Sequence, residues 1–206
     1  MARDTQSIVK MSRREGYALH PKAHKALMKR TTMPGQAANA RPGRNKASQY
    51  SLQLREKQKV KRLYGLLERQ FANLMKEANR TKGQSGATLL QFLEQRLDNV
   101  IYRAGFATSR RAARQLVTHG HFLYNGRRVD IPSMRVAPGD EIVLRDHSKG
   151  TEYFKRLEEV SPAPAAIPAW IKVNRKKVAV TVSATPTRED AEPDIKEQLI
   201  VEYYSR

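Results

Sequence analysis

A chain of 206 residues with 39 Lys and Arg against 20 Asp and Glu, a formal charge of +19 and no cysteine has room for one or two modest domains and repels itself strongly unless a polyanion is near. The balance points to nucleic acid or an anionic surface, while 39% hydrophobic residues suffice for small cores and not for a large enzyme fold. The missing cysteines exclude disulfides and thiolate metal sites, and neither a signal-peptide core nor a run of roughly 18 apolar residues is visible, so a cytosolic protein without a membrane partner is expected.

The basic excess is concentrated at the front, where residues 1–80 hold nineteen Lys and Arg against five Asp and Glu. Residues 1–48 have few large apolar side chains, and Pro34, Gly35, Pro42, Gly43 and Asn45 punctuate their second half. The segment is expected to be an irregular basic arm that orders on a partner. From Gln49 to Arg80, Val60, Leu63, Tyr64, Leu67, Phe71, Leu74, Met75 and Ala78 recur at spacings of three and four, which predicts one long helix. Its opposite face carries Arg62, Arg69, Lys76 and Arg80 with no interleaved acid, and Arg55, Lys57, Lys59, Lys61 and Arg62 crowd its start, a density that favours phosphate contact. Tyr50 and Tyr64 are placed to stack, although Tyr64 falls on the apolar face and reads as core.

Lys82-Gly83-Gln84-Ser85-Gly86 reads as a linker, and Thr88 as the cap of a second helix that runs to Ala104 and ends at Gly105. Ser109-Arg110-Arg111-Ala112-Ala113-Arg114-Gln115-Leu116-Val117 reads as a short helix capped by Ser109 and closed by a left-handed Gly120. Arg110, Arg111 and Arg114 crowd the positive end of its dipole, where each is disfavoured by roughly 0.3–1 kcal/mol, so something negative is expected beside them. Phosphates would suit, with Gln115 and His119 within reach of sugars. A strand at His121 to Tyr124, a type I′ turn at Asn125-Gly126 flanked by Arg127 and Arg128, a turn at Pro138-Gly139-Asp140 and a strand from Glu141 to Arg145 follow.

Residues 149–168 read as a helical turn and a proline-rich connection, and the stretches from Trp170 to Val173 and from Lys177 to Val182 alternate as two more strands that extend the sheet. From Pro186 the sign of the charge reverses, through Glu189, Asp190, Glu192, Asp194, Glu197 and Glu202. Asp194 reads as the cap of a last helix anchored by Ile195, Leu199, Ile200 and Tyr203, with a strand as the close rival over residues 199–203. That acidic end is expected to face a basic protein or the chain's own basic half. His119 and His121 flank Gly120, but no third ligand stands at a metal spacing, so no metal and no other cofactor is expected.

Arg96-Leu97-Asp98-Asn99-Val100, the helix from Thr108 to Val117, Tyr124-Asn125-Gly126-Arg127 and Val136-Ala137-Pro138-Gly139-Asp140, in that order, resemble the small RNA-binding module named after the bacterial ribosomal protein S-four. Ser12-Arg13-Arg14-Glu15-Gly16, Pro34-Gly35-Gln36, Gln53-Leu54-Arg55-Glu56-Lys57-Gln58-Lys59-Val60, Leu67-Glu68-Arg69-Gln70-Phe71 and Leu199-Ile200-Val201-Glu202-Tyr203-Tyr204-Ser205-Arg206 extend the resemblance to the S-four ribosomal family from near residue 1 to the end. The expected fold is therefore α+β. A basic arm (1–48) and a helical part (49–86) precede an RNA-binding module of two helices on a small twisted antiparallel sheet (87–185), and a terminal segment (186–206) packs back on the helical domain.

The resemblance implies a structural component of the small ribosomal subunit, not an enzyme, that binds 16S rRNA early, grips a multi-helix junction of the five-prime domain and nucleates assembly of the body. It further implies contact with ribosomal protein S-five and other small-subunit proteins, a part in translational fidelity, messenger RNA nearby at the channel through which it enters the subunit, and no small-molecule substrate. The residues expected at rRNA are Arg3, Lys10, Arg13, Arg14, Arg41, Arg44, Lys46, Arg55, Lys57, Lys59, Lys61, Arg62, Arg69, Lys76, Arg80, Arg103, Ser109, Arg110, Arg111, Arg114, Gln115, His119, Arg127 and Arg128, and those expected at a protein partner are Leu199, Glu202, Tyr203, Tyr204 and Arg206. Some members of the family hold zinc through amino-terminal cysteines; the matching positions here are Val9 and Ser12, which implies a metal-free chain. The two basic halves are expected to close over one folded RNA.

Two rival readings remain on the sequence alone. Arg96-Leu97-Asp98 superficially resembles the catalytic triplet of pseudouridine synthases, but it lies inside a predicted helix, with Leu97 on the apolar face and Asp98 placed to cap or pair locally. No P-loop, G-x-S-x-G, His-Glu-x-x-His or dinucleotide fingerprint accompanies it. A DNA binder carries the same charge, yet the arginine helix lacks the preceding helix-turn-helix spacing.

Overall fold

Two helices stand where an irregular arm is predicted. In the computed structural model, which describes residues 4–30, 32–35, 48–164 and 166–205, α1 (Ile8–Glu15) and α2 (Pro21–Lys29) pack on each other. Gly16 ends α1 at φ +63, and the His20 ring caps α2 by accepting from the Lys22 N–H at 3.0 Å. The apolar contribution is small, with Met11, Leu19 and Ala23 buried, so polar groups complete the packing. The Ser12 hydroxyl, fully buried, donates to the Ile8 carbonyl (2.8 Å) and accepts from the Leu19 N–H (3.3 Å). The remainder of the predicted arm, residues 36–47, lies outside the described residues.

The predicted rod of residues 49–80 is two helices, α3 (Gln49–Leu63) and α4 (Glu68–Arg80). Gly65 takes φ +67 between them, a conformation glycine adopts without a Cβ penalty, and the Leu66 N–H closes the turn on the Lys61 carbonyl at 2.9 Å. The apolar periodicity runs on through the break because Leu63, Tyr64, Leu66 and Phe71 all enter the same core. α5 (Ser85–Glu94) starts before Thr88, whose hydroxyl donates to the Gln84 carbonyl one turn back, so Thr88 is not a cap. The predicted helix to Ala104 is also interrupted. At Gln95 and Arg96 the backbone pairs sideways, with the Val136 N–H on the Gln95 carbonyl and the Leu97 N–H on the Met134 carbonyl, before α6 (Leu97–Arg103) begins.

α7 (Arg110–Thr118) packs on α6, and the chain then enters a sheet made of β1 (Phe122–Tyr124), β2 (Arg127–Val129), β3 (Glu141–Leu144), β4 (Ile171–Asn174) and β5 (Ala179–Val182). The order is β2-β1-β3-β5-β4, all antiparallel. Asn125 (φ 47) and Gly126 (φ 78) make the tight turn between Tyr124 and Arg127. Three single turns, α8 (Asp146–Lys149), α9 (Glu152–Lys155) and α10 (Leu157–Val160), replace the one predicted. Leu97, Ile101, Phe106, Phe122, Ile142 and Val180 lie at the centre of this core, each with no exposed surface.

The last segment is helix and not strand, α11 (Glu197–Tyr204), and it packs on α3. Asp194 does not cap it. Glu56 on α3 does so from across the packing, accepting from the Lys196 N–H at 2.9 Å, while the Asp194 carbonyl accepts from Lys59 Nζ at 2.7 Å. The chain divides into two compact units, Met1–Leu89 with Asp194–Arg206, and Leu90–Pro193.

Candidate nucleic-acid interface

α7 is held as its sequence requires. Ser109 Oγ accepts from the Ala112 N–H (3.2 Å), Gly120 sits at φ +70, and Ala113 and Val117 face the core. The other face is exposed and carries Arg111, Gln115, Thr118 and His119. Beside its carboxy-terminal end runs the edge strand β2 with Arg127 and Arg128 exposed. The Arg128 guanidinium passes over Gly120 so closely that a Cβ there would lie 2.7 Å from Nε. A cation is favoured at that end of a helix, where carbonyls are left without partners.

The negative group that the amino-terminal end of α7 demands comes from the protein itself. Arg110 donates to Glu192 Oε1 (3.1 Å) and Asn99 Oδ1 (2.9 Å) and lies over the Tyr102 ring at 4.6 Å. Arg114 approaches Asp98 at 3.5 Å, and Asp98 is already held by Arg96 at 2.9 and 3.1 Å. Burial holds the Arg114 guanidinium below its ordinary pKa, Asp98 opposes that shift and Arg96 adds to it. Arg103 is likewise engaged, donating to the fully buried Glu94 at 2.8 and 3.0 Å. Arg110 and Arg114 are thus engaged within the protein, and Arg111 is the exposed arginine of the three. His119 and His121 have ring centroids 5.9 Å apart, and no cluster of three metal-ligating residues occurs among the described residues. His121 shares a hydrogen bond with Ser148 Oγ (3.0 Å), and burial, then His119 and Arg145, hold its pKa below the usual histidine value.

In the other unit the dense run at 55–62 is mostly internal. Arg55 (3.1 Å) and Arg62 both bond Glu15, whose side chain has no exposed surface; burial pushes its pKa up while Arg55 and Arg62 draw it down. Lys57, only 3% exposed, donates to Glu68 at 2.6 Å beneath the Tyr203 ring (4.5 Å), and Lys61 reaches the same carboxylate at 3.0 Å. Lys59 pairs with Glu56 at 2.8 Å. Arg62 therefore does not share a stripe with Arg69, Lys76 and Arg80, which are exposed along α4. Lys10 and Arg14 are exposed on α1, whereas Arg13 donates to the Thr32 carbonyl at 2.8 Å. Arg3, Arg41, Arg44, Lys46 and Arg206 lie outside the described residues.

Of the predicted partner residues of α11, Glu202 is exposed while Tyr203 and Tyr204 are half-buried against their own unit. Glu202 accepts from Gln53 at 2.7 Å, Tyr203 meets Tyr50 at 5.8 Å, Tyr204 donates to Glu68 at 2.9 Å, and Leu199 is half-buried. Glu202 and the Asp194 carbonyl thus meet the chain's own basic front half, whereas Glu192 pairs with Arg103 and Arg110. Sequence reasoning missed the organising carboxylates Glu15, Glu68 and Glu94; Glu15 meets Arg55 and Glu68 meets Tyr204 from far along the chain, whereas Asn99 and Arg103, the partners of Glu94, lie across the turn between α5 and α6.

Comparison with known proteins gives two consecutive family matches, a Ribosomal protein S4/S9 N-terminal domain over residues 3–94 and an S4 domain over residues 95–142. The small ribosomal subunit proteins uS4 of Chlorobaculum tepidum (49% identical over 207 residues), Roseiflexus castenholzii (50% over 208) and Clostridioides difficile (48% over 212) each align over the whole of both chains. The arginine helix and its hairpin fall inside the second match, and half of all positions agree from end to end with proteins of one name, so the chain belongs to the uS4 family of small ribosomal subunit proteins, a structural family and not one of enzymes.

Proposed function

We propose that this protein is a primary 16S rRNA binder of the small subunit that grips a multi-helix junction in the five-prime domain and nucleates assembly of the body. It acts in the cytoplasm within that subunit, beside ribosomal protein S-five and near messenger RNA where it enters, with a share in translational fidelity. The observation that carries the reading is the exposed α7 face of Arg111, Gln115 and His119, continued by Arg127 and Arg128 on the edge strand. A-form RNA hides its bases in a deep groove, so such a surface recognises phosphates, 2′-hydroxyls and shape. On α4, Arg69, Lys76 and Arg80 offer a second set of exposed cations, and Lys10 and Arg14 a third.

The test is titration of the full chain against a five-prime-domain rRNA transcript at several salt concentrations, with duplex DNA as competitor. Arg111→Ala is expected to weaken binding and to lower the steepness of its salt dependence by about one phosphate contact. Equal retention of duplex DNA at moderate salt, or an unchanged slope in the folded variant, overturns the reading.

A further inference from the structure

The β4–β5 hairpin carries a second basic surface that the α7 face does not account for. Arg175, Lys176 and Lys177 follow one another at its tip, and Lys176 and Lys177 are exposed. The tip is held in one shape. Asn174 Oδ1 accepts from the Lys177 N–H (3.1 Å), the Val178 N–H donates to the Arg175 carbonyl (3.2 Å), and Arg175 donates to the carbonyls of Gly105 (3.0 Å) and Ser161 (2.7 Å). Val178, buried, sits at φ +49, a region a β-branched side chain rarely enters, so the surrounding packing fixes this turn against its local preference. Against the hairpin lies a cleft of about 290 Å³ lined by Lys155, Arg156, Arg175 and Lys176, with Glu158 and Glu159 on its wall.

Several arginines of this unit are joined to its carboxylates: Arg96 and Arg114 to Asp98, Arg103 to Glu94, Arg110 to Glu192, and Arg156 to Glu159. Among the described residues Lys155, Lys176 and Lys177 have no carboxylate within ion-pair distance. We propose that Lys155, Lys176 and Lys177 form a further contact for the phosphate backbone of RNA, at the opposite edge of the sheet from Arg127 and Arg128. With four strand intervals of nearly 5 Å each, the two edges stand about 19 Å apart, too far for one phosphate to bridge. The proposal rests on the rRNA reading and enlarges the footprint of this unit.

The experiment compares the full chain, the Lys155→Gln/Lys176→Gln/Lys177→Gln variant and an Arg127→Gln/Arg128→Gln variant for binding to the five-prime-domain transcript across a salt series. The triple variant is expected to lose about tenfold in affinity at moderate salt, with the logarithmic salt slope reduced by about two, because each lost phosphate contact removes somewhat less than one unit. An unchanged slope in the triple variant beside a reduced one in the Arg127/Arg128 variant overturns the hairpin contact and leaves the rRNA reading standing. Unchanged slopes in both overturn that reading as well.

Discussion

Gly120→Ala strikes the join between α7 and the basic edge strand. At φ +70 an alanine costs roughly 1–2 kcal/mol, partly offset by about 0.4–1 kcal/mol from the lower entropy of its unfolded chain. Its Cβ would stand 2.7 Å from Nε, 3.0 Å from Nη2 and 3.2 Å from Cζ of Arg128, the far end of a flexible side chain. Moving that guanidinium off its rotamer adds roughly 0.5–1.5 kcal/mol. The sum is about 1–2 kcal/mol, which for a unit of this size lowers the melting temperature by about 4–16 °C. Thermal unfolding followed by circular dichroism reads the loss, and repeating the substitution in an Arg128→Ala background separates its parts. There the cost should shrink to the backbone part, about half. Equal losses in both backgrounds would refute the close approach of Arg128, and no loss in either would refute the left-handed requirement.

Tyr204→Phe removes the hydroxyl that donates to Glu68 at 2.9 Å and should cost about 1–2 kcal/mol of stability by urea denaturation, as expected for a bond to a charged acceptor; an unchanged midpoint would show that the bond contributes nothing. His121 has a folded pKa below its unfolded value, so the unfolded chain binds the extra proton first, and the stability linked to this group is fully present above about pH 6.5 and lost as the pH falls from there through the lowered folded value. In His121→Gln that part of the acid loss should disappear, and a wild-type slope between pH 5 and 6.5 in the variant would count against it.

The turn at Asn125-Gly126 was legible because two adjacent residues that tolerate positive φ leave few other readings, and the sheet extension because strand alternation on both sides of Asn174 is local. The interruptions at Gly65 and at Gln95 were not. Apolar spacing continues through both, and at Gln95 the break is made by backbone groups of Met134 and Val136, forty residues downstream. α1 and α2 escaped for a related reason: Ser12 and Glu15, polar in any composition count, are buried there with their hydrogen bonds satisfied in part by Leu19, Arg55 and Arg62. Charge counting found the cations of the candidate site but not their neutralisation, since Glu192 reaches Arg110 from 82 positions away.

Because Asp194–Arg206 completes the unit that opens with Met1–Leu89, the order of synthesis and the order of completion are reversed. The stretch Leu90–Pro193 is contiguous, whereas α3 waits for a helix made after it. Lys57 and Glu68 meet Tyr203 and Tyr204 only once α11 has been made. Removal of α11 alone would strip the cover from α3 while leaving every strand of the sheet in the chain.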